Sequence, residues 1–478
     1  MSAPPSPDLT AARAVLKRHY GYDDFRPAQR PVVEAVLFGS DVLAVLPTGA
    51  GKSICFQIPA LVRPGLTLII SPLIALMQDQ VDAARARGIP AAYLNSALST
   101  ERRREVLSRV VRGEVRLLYV APERLPRLAD ELLMSSAAPG LLAVDEAHCI
   151  SEWGHDFRPA YRAIGRARRA LGWPQTVALT GSATPDVRED IAESLRLGLP
   201  DEDGVRRRLS VQVGSFDRAN LRFEVVHVGD RRERLAALLA QVRPERGTTI
   251  VYAGTRNLTE SLARVLWEQG VRAIPYHAGL TREKRAESLE RFLNDDVRVV
   301  VATCAFGMGI DKPGVRLVVH WTTPPTPESY YQEAGRAGRD GGAARCVLLF
   351  GRGDVANLRR LLQGTFPDEQ VVERAWGDPR ALARLPDGVR QSVERLRAEL
   401  KPERGRVAWA GVRRRRRLAE ARLKTCERYA AGGECRRRVL IGWFGEALRR
   451  CAGCDVCGTG VGSDRLERGA RHASGTRG

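Results

Sequence analysis

The chain has 478 residues, 44% of them hydrophobic and 28% charged, an ordinary globular composition and a length that allows two or three domains with separate cores. No segment approaches 18 uninterrupted apolar residues, and the N-terminus lacks a basic region followed by an apolar one, so neither a membrane-spanning helix nor a secretory signal is expected. A net charge of +20, carried mostly by Arg, points to a polyanionic partner such as nucleic acid.

Residues 1–10, rich in Pro and Ser, read as a disordered leader, and a first domain is expected over 11–209. It opens with Gly21-Tyr22, Phe25-Arg26-Pro27 and Gln29. A Gln offers the donor and acceptor that reading an adenine edge requires, and Phe25 or Arg26 would stack on the base. The apolar run Asp41–Leu46 predicts a strand. Pro47-Thr48-Gly49-Ala50-Gly51-Lys52-Ser53 follow, then a buried helix from Ile54 to Leu61. Glycines between strand and helix let backbone N–H groups approach phosphate, and the helix N-terminus adds partial positive charge. Lys52 would reach the β/γ-phosphates of ATP, and the Ser53 hydroxyl would bind Mg²⁺.

Further strands are predicted at Leu66–Ile70, Arg116–Val120, Leu141–Val144 and Thr176–Leu179, separated by helix-like segments. Such alternation argues for a parallel sheet covered by helices, with ligands beyond the strand carboxyl ends. Asp145-Glu146-Ala147-His148 stand at one such end. Asp145 is expected to hold the Mg²⁺ of ATP and Glu146 to activate the attacking water. Thr180–Thr184, after the last strand, read either as a relay to the next domain or as an N-cap and turn.

Together these groups resemble the RecQ family of superfamily-two helicases. Gly21–Gln29 looks like the family's motif zero, Pro47–Ser53 its motif I, Ser71–Gln80 its motif Ia and Asp145–His148 its motif II. Ser151-Glu152-Trp153-Gly154-His155-Asp156-Phe157-Arg158-Pro159 matches the family's aromatic-rich loop. The resemblance implies that this loop senses single-stranded DNA and couples it to ATP hydrolysis. Physically, Trp153 and Phe157 offer π-faces for bases, while His155 and Arg158 offer donors to phosphate. The resemblance adds Ser71 and Gln78 to the DNA contacts.

A second set of strand-like runs appears at Leu221–Val226, Thr248–Val251, Val297–Val301, Leu317–His320 and Cys346–Phe350. It predicts a similar domain over 210–352 without its own phosphate loop. The resemblance makes both domains RecA-like and places the nucleotide between them. Tyr252–Arg256 resembles motif IV, Tyr276–Leu280 a backbone-contact segment and Ala302–Lys312 motif V. Arg256, His277 and Thr303 are therefore expected at DNA, and Gly309 and Asp311 at the nucleotide. Tyr330–Asp340 resembles motif VI, with Gln332, Arg336 and Arg339 as its catalytic residues. The two arginines, three apart, are expected on one helical face. Arg339 would be the finger that stabilises the transferring phosphoryl group and Arg336 its support.

From 353 to 425 the character changes. Pro367, Pro379, Pro386 and Pro402 punctuate short helix-like pieces, and Arg413–Arg417 is an unbroken basic run. This spacer is longer than the family's. It reads as either a small helical, winged-helix-like module or a basic arm, and the run as either a solvated face or a DNA-backbone contact. Four of the nine cysteines (Cys55, Cys149, Cys304, Cys346) are scattered through apolar segments, and five fall between Cys426 and Cys457. That is no disulfide framework, so the expected compartment is reducing, the cytoplasm or a bacterial nucleoid. Within 426–458, Cys435, Cys451, Cys454 and Cys457 suit a closed tetrahedral Zn²⁺ site, with an Fe–S cluster as the lesser alternative. The segment matches the RecQ zinc-binding subdomain. Cys426 is expected to be structural or free. Residues 459–478 read as a disordered tail, leaving no room for the winged-helix and HRDC domains that many family members carry.

The expected fold is α/β: two tandem RecA-like parallel-sheet domains followed by a small helical zinc-binding subdomain. The expected function is that of an ATP-dependent DNA helicase using ATP, Mg²⁺ and Zn²⁺ to move along single-stranded DNA and unwind duplex in recombination and repair. The resemblance alone implies 3′→5′ polarity. Expected partners are single-stranded and forked DNA, with single-strand-binding protein as a further one, and no membrane. The alternative is a DNA-dependent ATPase that binds or anneals strands without processive unwinding. An RNA helicase is a third reading, weakened by the aromatic loop.

Overall fold

The computed structural model describes residues 9–458 except 48, 96–97, 136, 152–153, 155, 246, 308–311 and 400–408. Among these residues thirteen strands form two sheets. The first contains β1 (Asp41–Val45), β2 (Thr67–Ile70), β3 (Ala91–Leu94), β4 (Leu117–Val120), β5 (Leu141–Val144), β6 (Gln175–Thr180) and β7 (Leu209–Val213), in the order β3-β4-β2-β5-β6-β1-β7. The second contains β8 (Leu221–His227), β9 (Thr248–Tyr252), β10 (Ala273–Tyr276), β11 (Val299–Ala302), β12 (Val315–His320) and β13 (Ala344–Phe350), in the order β10-β11-β9-β12-β13-β8. Every strand pairing in both sheets is parallel.

The central strands β1, β2, β4, β5 and β6 are buried at every residue, as parallel strands covered on both faces must be. Those are the runs that the sequence displays. β3, β7 and β10 fall outside them, and all three are edge strands. An edge strand is flanked on one side only, so its sequence carries a weaker apolar pattern. Pro275 within β10 is tolerated because no neighbour needs its missing N–H on the open side.

β7 pairs with β1 residue by residue, from Asp41 opposite Leu209 to Val45 opposite Val213. A strand hydrogen-bonded into the first sheet cannot begin the second domain. The first unit accordingly runs to Phe216 and the second begins at Asp217, seven residues beyond the division expected at 209/210. The start of β1 is fixed by a buried ion pair: Arg168 Nη2 reaches both oxygens of Asp41 at 2.9 and 2.7 Å. The same carboxylate accepts from the Thr176 N–H at 2.9 Å, so its lone pairs are satisfied, which a buried charge requires.

Beyond β13 the second unit continues as helices Arg352–Thr365, Glu369–Trp376, Pro379–Ala383, Asp387–Glu399, Trp409–Ala431 and Arg436–Trp443. Asp368 and Asp378 cap two of them by accepting from Gln370 and Arg380 N–H groups. The helix Trp409–Ala431 passes unbroken through the 425/426 division expected between spacer and cysteine segment. It is anchored on the second sheet's side: buried Arg422 pairs with Glu328 at 3.0 Å, and the Tyr330 and Tyr429 hydroxyls bond at 2.7 Å. The fully buried Arg437 donates to Leu221 O and pairs with Asp217.

Candidate nucleotide, nucleic-acid and metal sites

The loop after β1 has the backbone that its glycines suggest. Gly49 and Gly51 have φ of 85° and 77°, a left-handed conformation that costs glycine little. A Cβ on Gly51 would collide with the Gln29 side-chain amide. Gln29 is buried and donates through Nε2 to Ala50 O at 2.8 Å and Gly51 O at 3.2 Å, while its Oε1 accepts from Arg26 N–H at 3.0 Å. Its side chain thus splints the loop. Arg26 is exposed and donates to Gly49 O at 2.5 Å. Phe25 is 7% exposed and packs with Leu16, Val33 and Ile58, so its ring is not available to stack on a base. The aromatic that this segment leaves in solvent is Tyr22, 53% exposed. The sequence could not show which neighbour turns inward.

Ser53 precedes the helix Ile54–Val62 and donates to Gln80 Oε1 at 3.4 Å; Lys52 and Ala50 are half-buried. Thr48 lies outside the described residues. A cysteine at such a helix start is a candidate nucleophile, but burial pushes the Cys55 thiol up to about 12, which leaves it inert.

Asp145 follows β5 and is 7% exposed. Burial and the adjacent Glu146 charge push its carboxyl up, and Lys52 opposes them. A divalent cation beside this carboxylate would relieve the repulsion. Glu146 has φ 47° and ψ 48°, left-handed values rare for a side-chain-bearing residue, and such strain clusters at functional sites. Its Oε2 lies 3.3 Å from His148 Nδ1, which is 2.9 Å from the Thr180 hydroxyl.

A polar link continues from this acidic pair. Cys149 Sγ is 3.8 Å from Asp156 Oδ2, Arg158 reaches the same carboxylate at 3.1 Å, and Arg158 Nη1 donates to Pro72 O at 2.8 Å. Ligand atoms of His148, Cys149 and Asp156 lie within 4.8 Å of one another, yet Arg158 already supplies the cation that Asp156 needs. The part played by Asp156 was missed in the sequence, where its spacing from Arg158 was the available signal. Ser71, expected at DNA, is 1% exposed, so its hydroxyl is enclosed in this structure. Gln78 donates to the Tyr93 hydroxyl at 3.5 Å, and Phe157 is half-buried with Arg162 5.9 Å from its ring centroid. Trp153 and His155 lie outside the described residues.

In the second unit Arg256, His277 and Thr303 follow β9, β10 and β11, three adjacent parallel strands, and therefore share one sheet edge. Arg256 is exposed. His277 is buried: Nδ1 accepts from Gly279 N–H at 3.2 Å and Nε2 donates to Glu260 at 3.0 Å, so neither ring nitrogen is offered outward. The Thr303 hydroxyl accepts from Ala305 N–H at 3.4 Å. Gly309 and Asp311 lie outside the described residues.

Gln332 lies in the helix Pro327–Ala334, which ends before Arg336. The two arginines consequently do not share a helical face: Gly335 closes the helix, Gly338 adopts φ 55°, and successive turns carry the chain. Arg336 is buried against Gly307, where a Cβ would stand 3.2 Å from its Nη2, and reaches the Tyr252 hydroxyl. Arg339 is more exposed.

The Sγ atoms of Cys435, Cys451, Cys454 and Cys457 all lie within 4.8 Å of one another, and Cys435 and Cys454 are 3.9 Å apart. A tetrahedral ion with metal–sulfur bonds of about 2.3 Å needs thiolates about 3.8 Å apart, so the four sulfurs fit one. Asp455 fastens the loop by accepting from Arg436 and from Val225 N–H. Cys426 is buried within the helix Trp409–Ala431 and free.

Residues 26–191 match the DEAD/DEAH box helicase family, 230–341 the helicase conserved C-terminal domain and 390–458 the RecQ zinc-binding family. Over 444 residues the chain is 38% identical to the ATP-dependent DNA helicase RecQ of Pasteurella multocida, covering 93% of this chain and 61% of that protein. Over 359 residues it is 38% identical to the probable ATP-dependent DNA helicase RecS of Bacillus subtilis, covering 74% and 70%. The chain spans 60–63% of the length of the first three curated RecQ relatives. A solved structure of Mycobacterium smegmatis helicase Lhr bound to ssDNA and AMP-PNP is alike in fold, with TM-score 0.55 and 19% identity over 88% of this chain and 57% of that one. No described helix is long and apolar enough to cross a membrane. With helicase and zinc-binding matches in series and a relative covered over most of its length, this chain belongs to the RecQ family of ATP-dependent DNA helicases.

Proposed function

We propose that the chain is an ATP-driven motor that moves on single-stranded DNA and unwinds duplex. The observation that carries this reading is one edge of the first sheet. The glycine loop after β1 and the acidic pair after β5 stand at the carboxyl ends of strands separated only by β6, where ligands of parallel sheets bind. Backbone N–H groups of Gly49–Ser53 and the Lys52 ammonium would cradle the phosphates. Tyr22 and Arg26 would sandwich the adenine.

Ser53 and Asp145 would hold Mg²⁺, which supplies charge neutralisation at the β- and γ-oxygens. Glu146 would orient the attacking water and take its proton. Gln332, Arg336 and Arg339 would meet the charge that develops on the transferring phosphoryl group. The polar link from Glu146 through Asp156 to Arg158 offers a physical route by which DNA on the aromatic-rich loop would act on that carboxylate. Cys435, Cys451, Cys454 and Cys457 would hold Zn²⁺ as a structural ion. The partners are single-stranded and forked DNA, with single-strand-binding protein sharing that substrate.

ATP turnover measured alone, with single-stranded DNA and with RNA tests this reading. Stimulation by DNA and not by RNA is expected. Turnover indifferent to DNA, or stimulated equally by RNA, would contradict it.

A further inference from the structure

One feature of the sequence is not used by the motor site: the run Arg413–Arg417 on the helix Trp409–Ala431. Of its five arginines only Arg415, 9% exposed, turns inward; Arg413, Arg414, Arg416 and Arg417 are exposed. Lys424 and Arg428 continue the solvent side of the same helix. From Arg413 to Arg428 this ridge is about 22 Å long at 1.5 Å per residue. The surrounding 353–425 segment holds 18 Lys and Arg against 10 Asp and Glu, so 8 of the chain's 20 net positive charges fall in 73 residues.

Carboxylates offset part of the ridge. Arg413 pairs with Glu369 at 2.9 Å, Arg416 with Glu420 at 3.0 Å and Arg428 with Glu434 at 2.8 Å. Surface pairs of this kind contribute about 0–1 kcal/mol each and are readily exchanged for a phosphate. The ridge is also rigidly mounted. Trp409 and Val412 belong to a separate apolar core with Val372, Trp376, Val393 and Leu396, and Trp409 Nε1 donates to Glu373 at 2.6 Å.

Two details define the ligand. Pro379–Ala383, a three-residue turn and Asp387–Glu399 have helix-turn-helix spacing. Yet the solvent side of the second helix mixes Asp387 and Glu394 with Arg395, so it is not a basic reading helix. The module's aromatics, Phe366, Trp376 and Trp409, are all engaged in its core. Single-strand binders pair basic grooves with exposed rings on which bases stack; this ridge has none. Charge without stacking suits phosphates held at fixed spacing.

We infer that the ridge Arg413–Arg428 binds the phosphate backbone of duplex DNA without reading bases. The inference rests on the proposed DNA function but is separable from the motor. Duplex and single-strand affinities of the full chain, measured without nucleotide across a salt series, test it. The triple variant Arg414→Gln/Arg416→Gln/Arg417→Gln should lower the duplex slope of log K against log salt by about 2.7, at about 0.9 per lost phosphate contact. The single-strand slope should hold, and the corresponding triple Arg→Lys variant should keep the parent's duplex slope. Glutamine is a good helix former, and the three single Arg→Gln variants, each expected to remove about 0.9, give the same readout with less perturbation. An unchanged duplex slope, or an equal loss on single strands, would overturn the inference. Failure of the motor reading would appear instead as parent turnover indifferent to DNA, with the triple Arg→Gln variant still losing duplex slope.

Discussion

The two sheets are built alike and equipped differently. Both are wholly parallel with buried central strands, but the first ends its strands in backbone and carboxylates: Gly49 and Gly51 in left-handed turns, Asp145, and a strained Glu146. The second ends its strands in long cations and hydrogen-bonded polar groups, Arg256, His277 and Thr303, with Arg336 and Arg339 beyond the helix Pro327–Ala334. One scaffold thus carries glycine turns and carboxylates after the strands of one sheet and arginines after those of the other, because the sheet fixes only where loops emerge and the loops carry the chemistry.

Paired lesions should separate those roles. Arg339→Ala is expected to lower kcat for ATP by roughly 10³–10⁵ while nucleotide affinity holds, as for arginines acting only in the transition state. Lys52→Ala is expected to lower turnover by about 10²–10³ and weaken nucleotide binding as well. Steady-state kinetics with nucleotide titration distinguishes them, and a reversed pattern would dissolve the comparison.

Metal removal should act on one sheet's unit and spare the other. Glu328, Tyr330 and Tyr331 of the arginine-bearing unit pack on Arg422, Tyr429 and Phe444 of the cysteine-bearing helical region. Chelation is expected to lose hydrogen-exchange protection in 426–458 and in the helix Pro327–Ala334, with the first sheet unchanged. Uniform protection after verified metal loss would show that the ion does not support this region.

The smallest effects come from two aromatics three residues apart. Phe25→Ala should destabilise the first unit by about 3–5 kcal/mol, because its ring is core. Tyr22→Ala should leave stability within about 0.5 kcal/mol and raise KM for ATP about tenfold, the loss of about 1.4 kcal/mol of base stacking. Thermal melts and kinetics on the two variants would expose an exchange of roles.

These differences mark what the sequence can convey. The central strands were legible because burial on both faces demands unbroken apolar runs such as Leu141–Val144. Three of the four edge strands, β3, β7 and β10, were not, since one-sided pairing tolerates Ala, Gln and Pro, whereas the edge strand β8 shows itself by alternating buried Leu221, Phe223 and Val225; without β7 the domain division falls seven residues early. Glycines, Lys52 and Asp145 announced themselves by type and order. Direction did not: Phe25 turns into the core, Ser71 is enclosed, and Gly335 ends the helix before Arg336. Which way a side chain points depends on long-range packing that local pattern does not encode.

Strand displacement on a 3′-tailed duplex tests the central claim most directly. The parent chain should separate the strands only with hydrolysable ATP and Mg²⁺, and Lys52→Ala should separate them more slowly by the same factor of about 10²–10³ as its turnover. DNA-stimulated ATP hydrolysis without displacement would contradict the unwinding motor and favour a chain that uses ATP only to bind or anneal strands.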